Sequence, residues 1–195
     1  MPAMPAAKTD HRRATAERNV EAILDAAERL LRRRAQASIA AVAREAGLSR
    51  VTVYAHFPTR EELLEAVVAR AVRAATAAIE ATEPDSSPPI AALERVTSAA
   101  WRELERHETI RQAAAEGLSA EAEHRAHRAG MQMLHPLIKR GREQGEFRTD
   151  LPERWLLVSF FALLHAAADE VREGRIPTGA AAAAVTSSIR ELFAA

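Results

Sequence analysis

Ser38 to Leu64, SIAAVAREAGLSRVTVYAHFPTREELL, reads as two short helices about a glycine turn, followed by the start of a third. Ile39, Val42, Ala43 and Ala46 recur at helical spacing, and Ser38 stands where it can cap that helix. Gly47 falls where a helix ends in the left-handed conformation that glycine alone adopts without strain. Ser49 can cap the next helix through its hydroxyl. Two such helices joined by about 3 to 4 residues containing glycine form the helix-turn-helix pattern, whose second helix enters the major groove of DNA. Val53 and Phe57 lie four apart and face inward, leaving Arg50, Val51, Thr52, Tyr54 and His56 as the expected reading surface.

Working outward, Ala16 to Arg34 carries Val20, Ile23, Leu24, Ala27, Leu30 and Leu31 on one helical stripe and ends in three consecutive arginines, a charge that suits a helix C-terminus. Before it, residues 1–15 show no apolar period and read as a flexible arm, either a solvated tail or a segment able to place Arg12 or Arg13 in a minor groove. After the turn, Pro58 stops the backbone, and Thr59 with Glu62 forms a Thr-x-x-Glu capping box. Leu63, Leu64, Val67, Val68, Ala71, Val72, Ala75 and Ile79 then continue one long helix to about Thr82. Glu83 to Pro89, EPDSSPP, is the clearest linker. The expected domains are therefore an arm (1–15), a reading head (16–58), a connecting helix (59–82) and a helical body (83–195).

The segment resembles the DNA-binding domain of the TetR/AcrR family of bacterial transcriptional regulators. The resemblance rests on Ala46-Gly47-Leu48-Ser49, on Thr52-Val53-Tyr54-Ala55-His56-Phe57, and on Arg60 before Glu61-Glu62-Leu63-Leu64. It covers about the first third of the chain. It implies an all-α fold whose DNA-contacting set is Ser38, Ser49, Arg50, Val51, Thr52, Tyr54, His56 and Arg60, with Tyr54, His56 and Arg60 on phosphates. Ser38 replaces the commoner threonine cap, and Ala55 replaces a larger side chain, which suggests one fewer backbone contact. The resemblance also implies a homodimer on a palindromic DNA operator and a body that binds a small effector of unknown identity. A repressor released by that effector is the expected activity, with an activator that takes no ligand as the alternative.

Composition agrees with an all-α, non-membrane protein. Of 195 residues, 48% are apolar, 28% charged and 4% aromatic, and glycine is scarce. Without cysteine there is no disulfide, thiolate metal site or cysteine nucleophile. The N-terminus lacks the apolar core of a signal peptide, and no run approaches the roughly 18 apolar residues of a membrane span, so the expected compartment is the cytoplasm. The net charge of +0 hides an asymmetry: residues 1–60 hold 11 basic and 6 acidic side chains, a balance of +5, and the remainder balances to −5. A basic front approaches phosphates, and an acidic rear disfavours lying along DNA.

The body reads as helices over Ile90–Arg106, Glu108–Glu116, Ser119–Gln144, Pro152–Arg172 and Thr178–Phe193. Pro136 inside the third of these predicts a kink. Trp101, Leu104, Met131, Met133, Leu134, Leu137 and Phe160 are candidate cavity-lining residues, with His135 as a polar contact and ordinary core packing as the competing reading. Pro152–Arg172 is apolar nearly all round, and Thr178–Phe193 carries a face of small residues. Together they suggest a four-helix dimer interface through Trp155, Val158, Ala162, His165, Asp169, Ala181, Val185, Ser188 and Leu192, against the alternative of a central monomeric core helix.

Chemistry of other classes is weakly signalled. Glu121, His124 and His127 share a helical face, but the spacing is not that of a zinc protease and charged neighbours favour a solvated surface, so no metal is expected. His165 and Asp169 read better as a structural pair than as a catalytic one. No nucleophile elbow or phosphate-cradling glycine loop occurs, and neither an enzyme nor a cofactor is expected. A helical protein–protein adaptor is the remaining alternative. It would bind without the steep salt dependence of a DNA-binding protein.

Overall fold

The computed structural model describes residues 6–195, with side chains from residue 13 onward except at positions 123, 124, 126, 127 and 129. Among the described residues there are nine α-helices and no strand, with a single antiparallel bridge between Phe147 and Ala194. The helices are α1 (Ala6–Arg32), α2 (Ile39–Ala46), α3 (Arg50–His56), α4 (Arg60–Glu80), α5 (Pro89–Arg106), α6 (Glu108–Gly117), α7 (Ala120–Glu143), α8 (Glu153–Arg172) and α9 (Thr178–Phe193). None is long and apolar enough to cross a membrane among the described residues.

The first helix begins at Ala6, ten residues before the expected start at Ala16, so from Ala6 onward the segment read as an arm belongs to α1. Helix-favouring Ala, Lys and Arg run through it, and Arg13 pairs with Glu17 four residues on at 3.0 Å. The missing apolar period therefore does not mark an absence of helix. At its other end Arg34 takes a left-handed conformation, φ 55°, and the helix stops two residues earlier than expected.

α1 to α4 enclose one core built on Ile23, Leu24, Val42, Val53, Leu63 and Val67, all nearly inaccessible to solvent. Two residues of α6, Ile110 and Ala114, are part of this same core. Charge fastens the helices outside it. Arg70 of α4 donates from Nε to Glu28 at 2.8 Å and from Nη1 to Asp25 at 2.8 Å, both on α1. Burial opposes the Arg70 charge, but these carboxylates more than offset it.

The body helices lie within one residue of their expected bounds, and Pro136 sits inside α7. Leu93, Leu134, Ile138, Phe147, Leu156, Phe160, Ile189 and Phe193 fill a second core. The EPDSSPP linker is less free than its composition suggests: it holds a 3₁₀ turn over Pro84–Ser86, and Arg140 of α7 donates to Asp85 and to the Pro84 carbonyl, each at 2.7 Å.

α8 buries Leu156, Phe160, Leu164 and Ala168 and leaves Trp155 56% and Val158 40% exposed. It is therefore two-sided within the chain, where its sequence reads as apolar nearly all round. In α9 the correction is sharper. Ala181 and Val185, expected on a dimer face, join Ile189 and Phe193 in the chain's own core, because the small residues let α9 approach its neighbours closely.

Candidate nucleic-acid interface and body cavity

The reading helix is short, and its caps hold it. Ser38 Oγ accepts from Ala41 N at the start of α2, Gly47 closes that helix at φ 68°, and Ser49 Oγ accepts from Thr52 N at 3.0 Å to open α3. The run Val51-Thr52-Val53 is β-branched and disfavours helix, so tertiary packing of Val53 and Phe57 supplies what propensity lacks. Ser49 and Thr52 also share a hydroxyl–hydroxyl bond of 2.8 Å, which commits part of Thr52's hydrogen-bonding capacity to the cap.

Outward from this frame, Val51 is 79% and Tyr54 52% exposed, two of the four large apolar side chains left exposed among the described residues. Arg50 and Arg60 are exposed, and Thr52 and His56 are half-buried at the edges of the same face. Arg60 begins α4, with its guanidinium resting against the C-terminal end of α6: a Cβ added at Gly117 would meet Arg60 Nη1 at 3.1 Å and Leu64 Cδ2 at 2.8 Å. The same region ties head to body. Glu61 accepts from Ser119 N at 3.1 Å, and that amide, with the Ser119 hydroxyl, holds the Glu61 carboxyl below the usual carboxylate range. Glu65 takes both donors of Arg125 in a forked pair at 2.9 and 2.7 Å.

Behind the head, α4, α5, α6, α7 and α8 surround a cavity of about 270 Å³. Its wall is mainly apolar, with Val72 and Ile79 from α4, Leu104 from α5, Met133 from α7 and the edge-to-face pair Phe160 and Phe161 from α8. Six polar residues interrupt it: Thr76, whose hydroxyl donates to the Val72 carbonyl at 2.9 Å, and Glu103, His107, Arg111, His165 and Asp169. Arg111 donates from Nε and Nη2 to Glu108 at 2.8 and 2.9 Å and reaches Asp169 of α8 at 2.9 Å. Burial pushes the His107 imidazole below the usual histidine range, against the opposing pull of Glu103.

Residues 23–67 match the bacterial regulatory proteins of the tetR family. The HTH-type transcriptional repressor LfrR of Mycolicibacterium smegmatis is 41% identical over 80 residues, 41% of this chain and 42% of that protein. The reading head of the chain is thus of the TetR-family type. In sequence the match spans about two fifths of that curated relative's length. In structure the likeness extends over nearly the whole chain. The TetR-like regulator LfrR of Mycobacterium smegmatis, solved in complex with proflavine, superposes with a TM-score of 0.62 at 26% identity, covering 92% of this chain and 98% of that one. A TetR-family regulator from Shewanella sp. PV-4 superposes at 0.71 with 23% identity, covering 91% and 98%, and shows the shared fold.

The expected DNA-contacting residues fall together around α2, α3 and the start of α4. The expected cavity residues divide. Leu104, Met133 and Phe160 line the cavity. Trp101, Leu134 and Leu137 are instead buried in the body core, Met131 is half-buried away from the cavity, and His135 lies on the surface paired with Glu153. His165 and Asp169, assigned from sequence to the dimer face, line the cavity, and Asp169 pairs with Arg111. Trp155, Val158, Ala162 and Ser188 are exposed and Leu192 is half-buried. The side chains of His124 and His127 lie outside the described residues, and no group of three metal-ligating side chains occurs among the described ones.

Glu103, His107 and Arg111 were not anticipated from sequence. A signal was available for two of them: Val96, Ala100, Glu103 and His107 follow the inward stripe of α5 at intervals of four, three and four, so a carboxylate and an imidazole occupy positions that otherwise carry apolar residues.

Proposed function

We propose that this TetR-family regulator reads a specific DNA operator as a homodimer and is released from it when a small molecule enters the body cavity. The observation that carries the reading is the exposed row Arg50, Val51 and Tyr54 on a capped helix whose opposite side is fully packed. Arg50 can donate two parallel hydrogen bonds to guanine, and Val51 and the Thr52 methyl can meet thymine. Tyr54, His56 and Arg60 position the helix through phosphates.

The exposed Trp155 and Val158 of α8, with Ala162 and Ser188 beside them, support pairing with a second copy. Two heads related by a two-fold axis meet successive major grooves about 34 to 36 Å apart, hence a palindromic operator. Release follows from α6, which contributes Ile110 and Ala114 both to the head core and to the cavity wall. A ligand that favours a different seat for α6 moves the head, and such coupling typically changes affinity by about 5 to 150-fold. LfrR, named a repressor and solved with proflavine, supports repression and a ligand-binding body.

Fluorescence anisotropy tests this on the DNA flanking the gene and on a shuffled control, across a salt series. The expected result is tight, salt-sensitive binding to the native fragment alone, weakened by about 1 to 3 kcal/mol in Arg50→Ala with unchanged melting. Equal binding to both fragments, or binding indifferent to salt, would remove the reading.

A further inference from the structure

We infer that the body cavity selects a small apolar cation and that Glu103 is the group that recognises its charge. This rests on the effector reading above and names the class of molecule that the cavity takes. Among the described residues only Thr97 and Glu103 are buried polar side chains, and Thr97 is accounted for by its bond to the Leu93 carbonyl at 2.8 Å. Glu103 has no comparable structural duty. One carboxylate oxygen pairs with Arg106 at 2.9 Å, but Arg106 is itself 69% exposed, so that pair is screened by water and contributes little. The other oxygen stands 3.7 Å from His107 Nε2, beyond hydrogen-bond distance, and His107 Nδ1 is buried with no partner among the described residues.

The cavity's other charges are already matched. Arg111 is engaged by Glu108 through both Nε and Nη2 and by Asp169 through Nη2, so its single positive charge already faces two carboxylates. The wall therefore carries two carboxylates, Glu103 and Asp169, against one arginine, and Glu103 is the carboxylate without a buried cation. An anionic ligand would find Arg111 already shared by Glu108 and Asp169 and would sit beside Glu103 among apolar walls, where an unmatched charge is costly. A cation instead gains a charge-assisted bond in surroundings that screen it poorly. A volume of about 270 Å³ lies just below the usual range of roughly 300–1,000 Å³ for small-molecule sites, and Val72, Leu104, Phe160 and Phe161 offer surface for a compact ring system.

Three probes of one shape and different charge test this by titration calorimetry on the full chain at neutral pH: naphthalen-1-ylmethylammonium, naphthalen-1-ylmethanol and 1-naphthoate. We expect the ammonium to bind at least about tenfold tighter than the alcohol, the worth of a charge-assisted hydrogen bond, with the carboxylate weakest. Glu103→Gln should bring ammonium and alcohol together, and Leu104→Trp, which fills the cavity, should weaken all three. Equal binding of ammonium and alcohol, or a preference for naphthoate, overturns the inference and leaves the effector reading standing. Absence of binding by all three overturns it as well, as does full ammonium affinity in Leu104→Trp, which would place the ligand elsewhere. Ammonium binding that spares the DNA complex supports the inference and fails the effector reading alone. The wild-type ranking decides the matter even if Glu103→Gln does not fold.

Discussion

The two working parts of this chain leave very different amounts of empty space. In the head, the void between α1 and α4 beside Ala27, Leu31 and Leu63 is about 10 Å³, scarcely room for one water; behind it the cavity among α4 to α8 is about 270 Å³. The head is packed to fix side chains on its outside, and the body is hollowed to present them on its inside. A reader of DNA needs donors held in one place, whereas a receptor needs room and a wall that can shift. The largest effect should therefore follow from opening a hole in the head. Phe57 is buried against Val53, and Phe57→Ala should cost about 3 to 5 kcal/mol in urea unfolding, a large share of the roughly 5 to 15 kcal/mol that holds a domain together. A loss below about 1 kcal/mol would mean that the head tolerates voids as the body does, and the contrast would fail.

The body allows a test within a single helix. Gly141 and Gly130 both belong to α7. A Cβ at Gly141 would lie 2.2 Å from Phe147 Cδ2, in a ring packed edge-on to Phe193 at 5.5 Å, while a Cβ at Gly130 would meet Phe161 Cζ at 3.2 Å, on the cavity wall. Gly141→Ala should then destabilise by about 1 to 3 kcal/mol through overpacking. Gly130→Ala should be near neutral or stabilising by up to about 0.5 to 1 kcal/mol, because alanine favours the helix and Phe161 has a cavity into which to turn. Equal costs, measured by chemical unfolding, would show a body uniformly packed around its space. Next in size is the cap: Ser49→Ala removes the acceptor for Thr52 N and should cost about 0.5 to 2 kcal/mol, frees the Thr52 hydroxyl, and should alter base preference as well as stability.

The same contrast explains what could be read from sequence. The head was legible because its information is local: a cap, a left-handed glycine, a capping box and two inward residues four apart define α2 to α4 without knowledge of any distant contact. The body's helix bounds were legible for the same reason. Its cavity was only half so, because helical periodicity says that Trp101, Leu134 and Leu137 face inward but not whether inward means core or void. That distinction depends on how five helices meet, which no local pattern carries. His165 and Asp169 were misplaced because α8 offers apolar residues on both sides, and the ion pair with Arg111 that turns Asp169 toward α6 joins residues 58 apart. Residues 6–15 failed in the opposite way: the periodicity rule detects an apolar stripe, and the sequence at the start of α1 carries none although the backbone is helical.

The smallest expected effect sharpens the comparison where head and body meet. Burial holds His107 below the usual histidine range in the folded chain, with Glu103, Glu28, Arg32 and Arg106 also acting on it. As pH falls, the unfolded chain therefore takes up this proton first. The stability associated with a neutral His107 is complete above the ordinary histidine range and is lost as pH drops through that range toward the depressed folded value. Melting followed between about pH 7 and pH 5 should fall more steeply in the native chain than in His107→Gln, which cannot take up the proton. The difference should be small, since His107 keeps some contact with water and Glu103 offsets part of the cost of charging it. Parallel slopes would show that the imidazole is as well solvated as a surface histidine, and the wall beside Glu103 would then be wetter than the packed head by nature, not merely by volume.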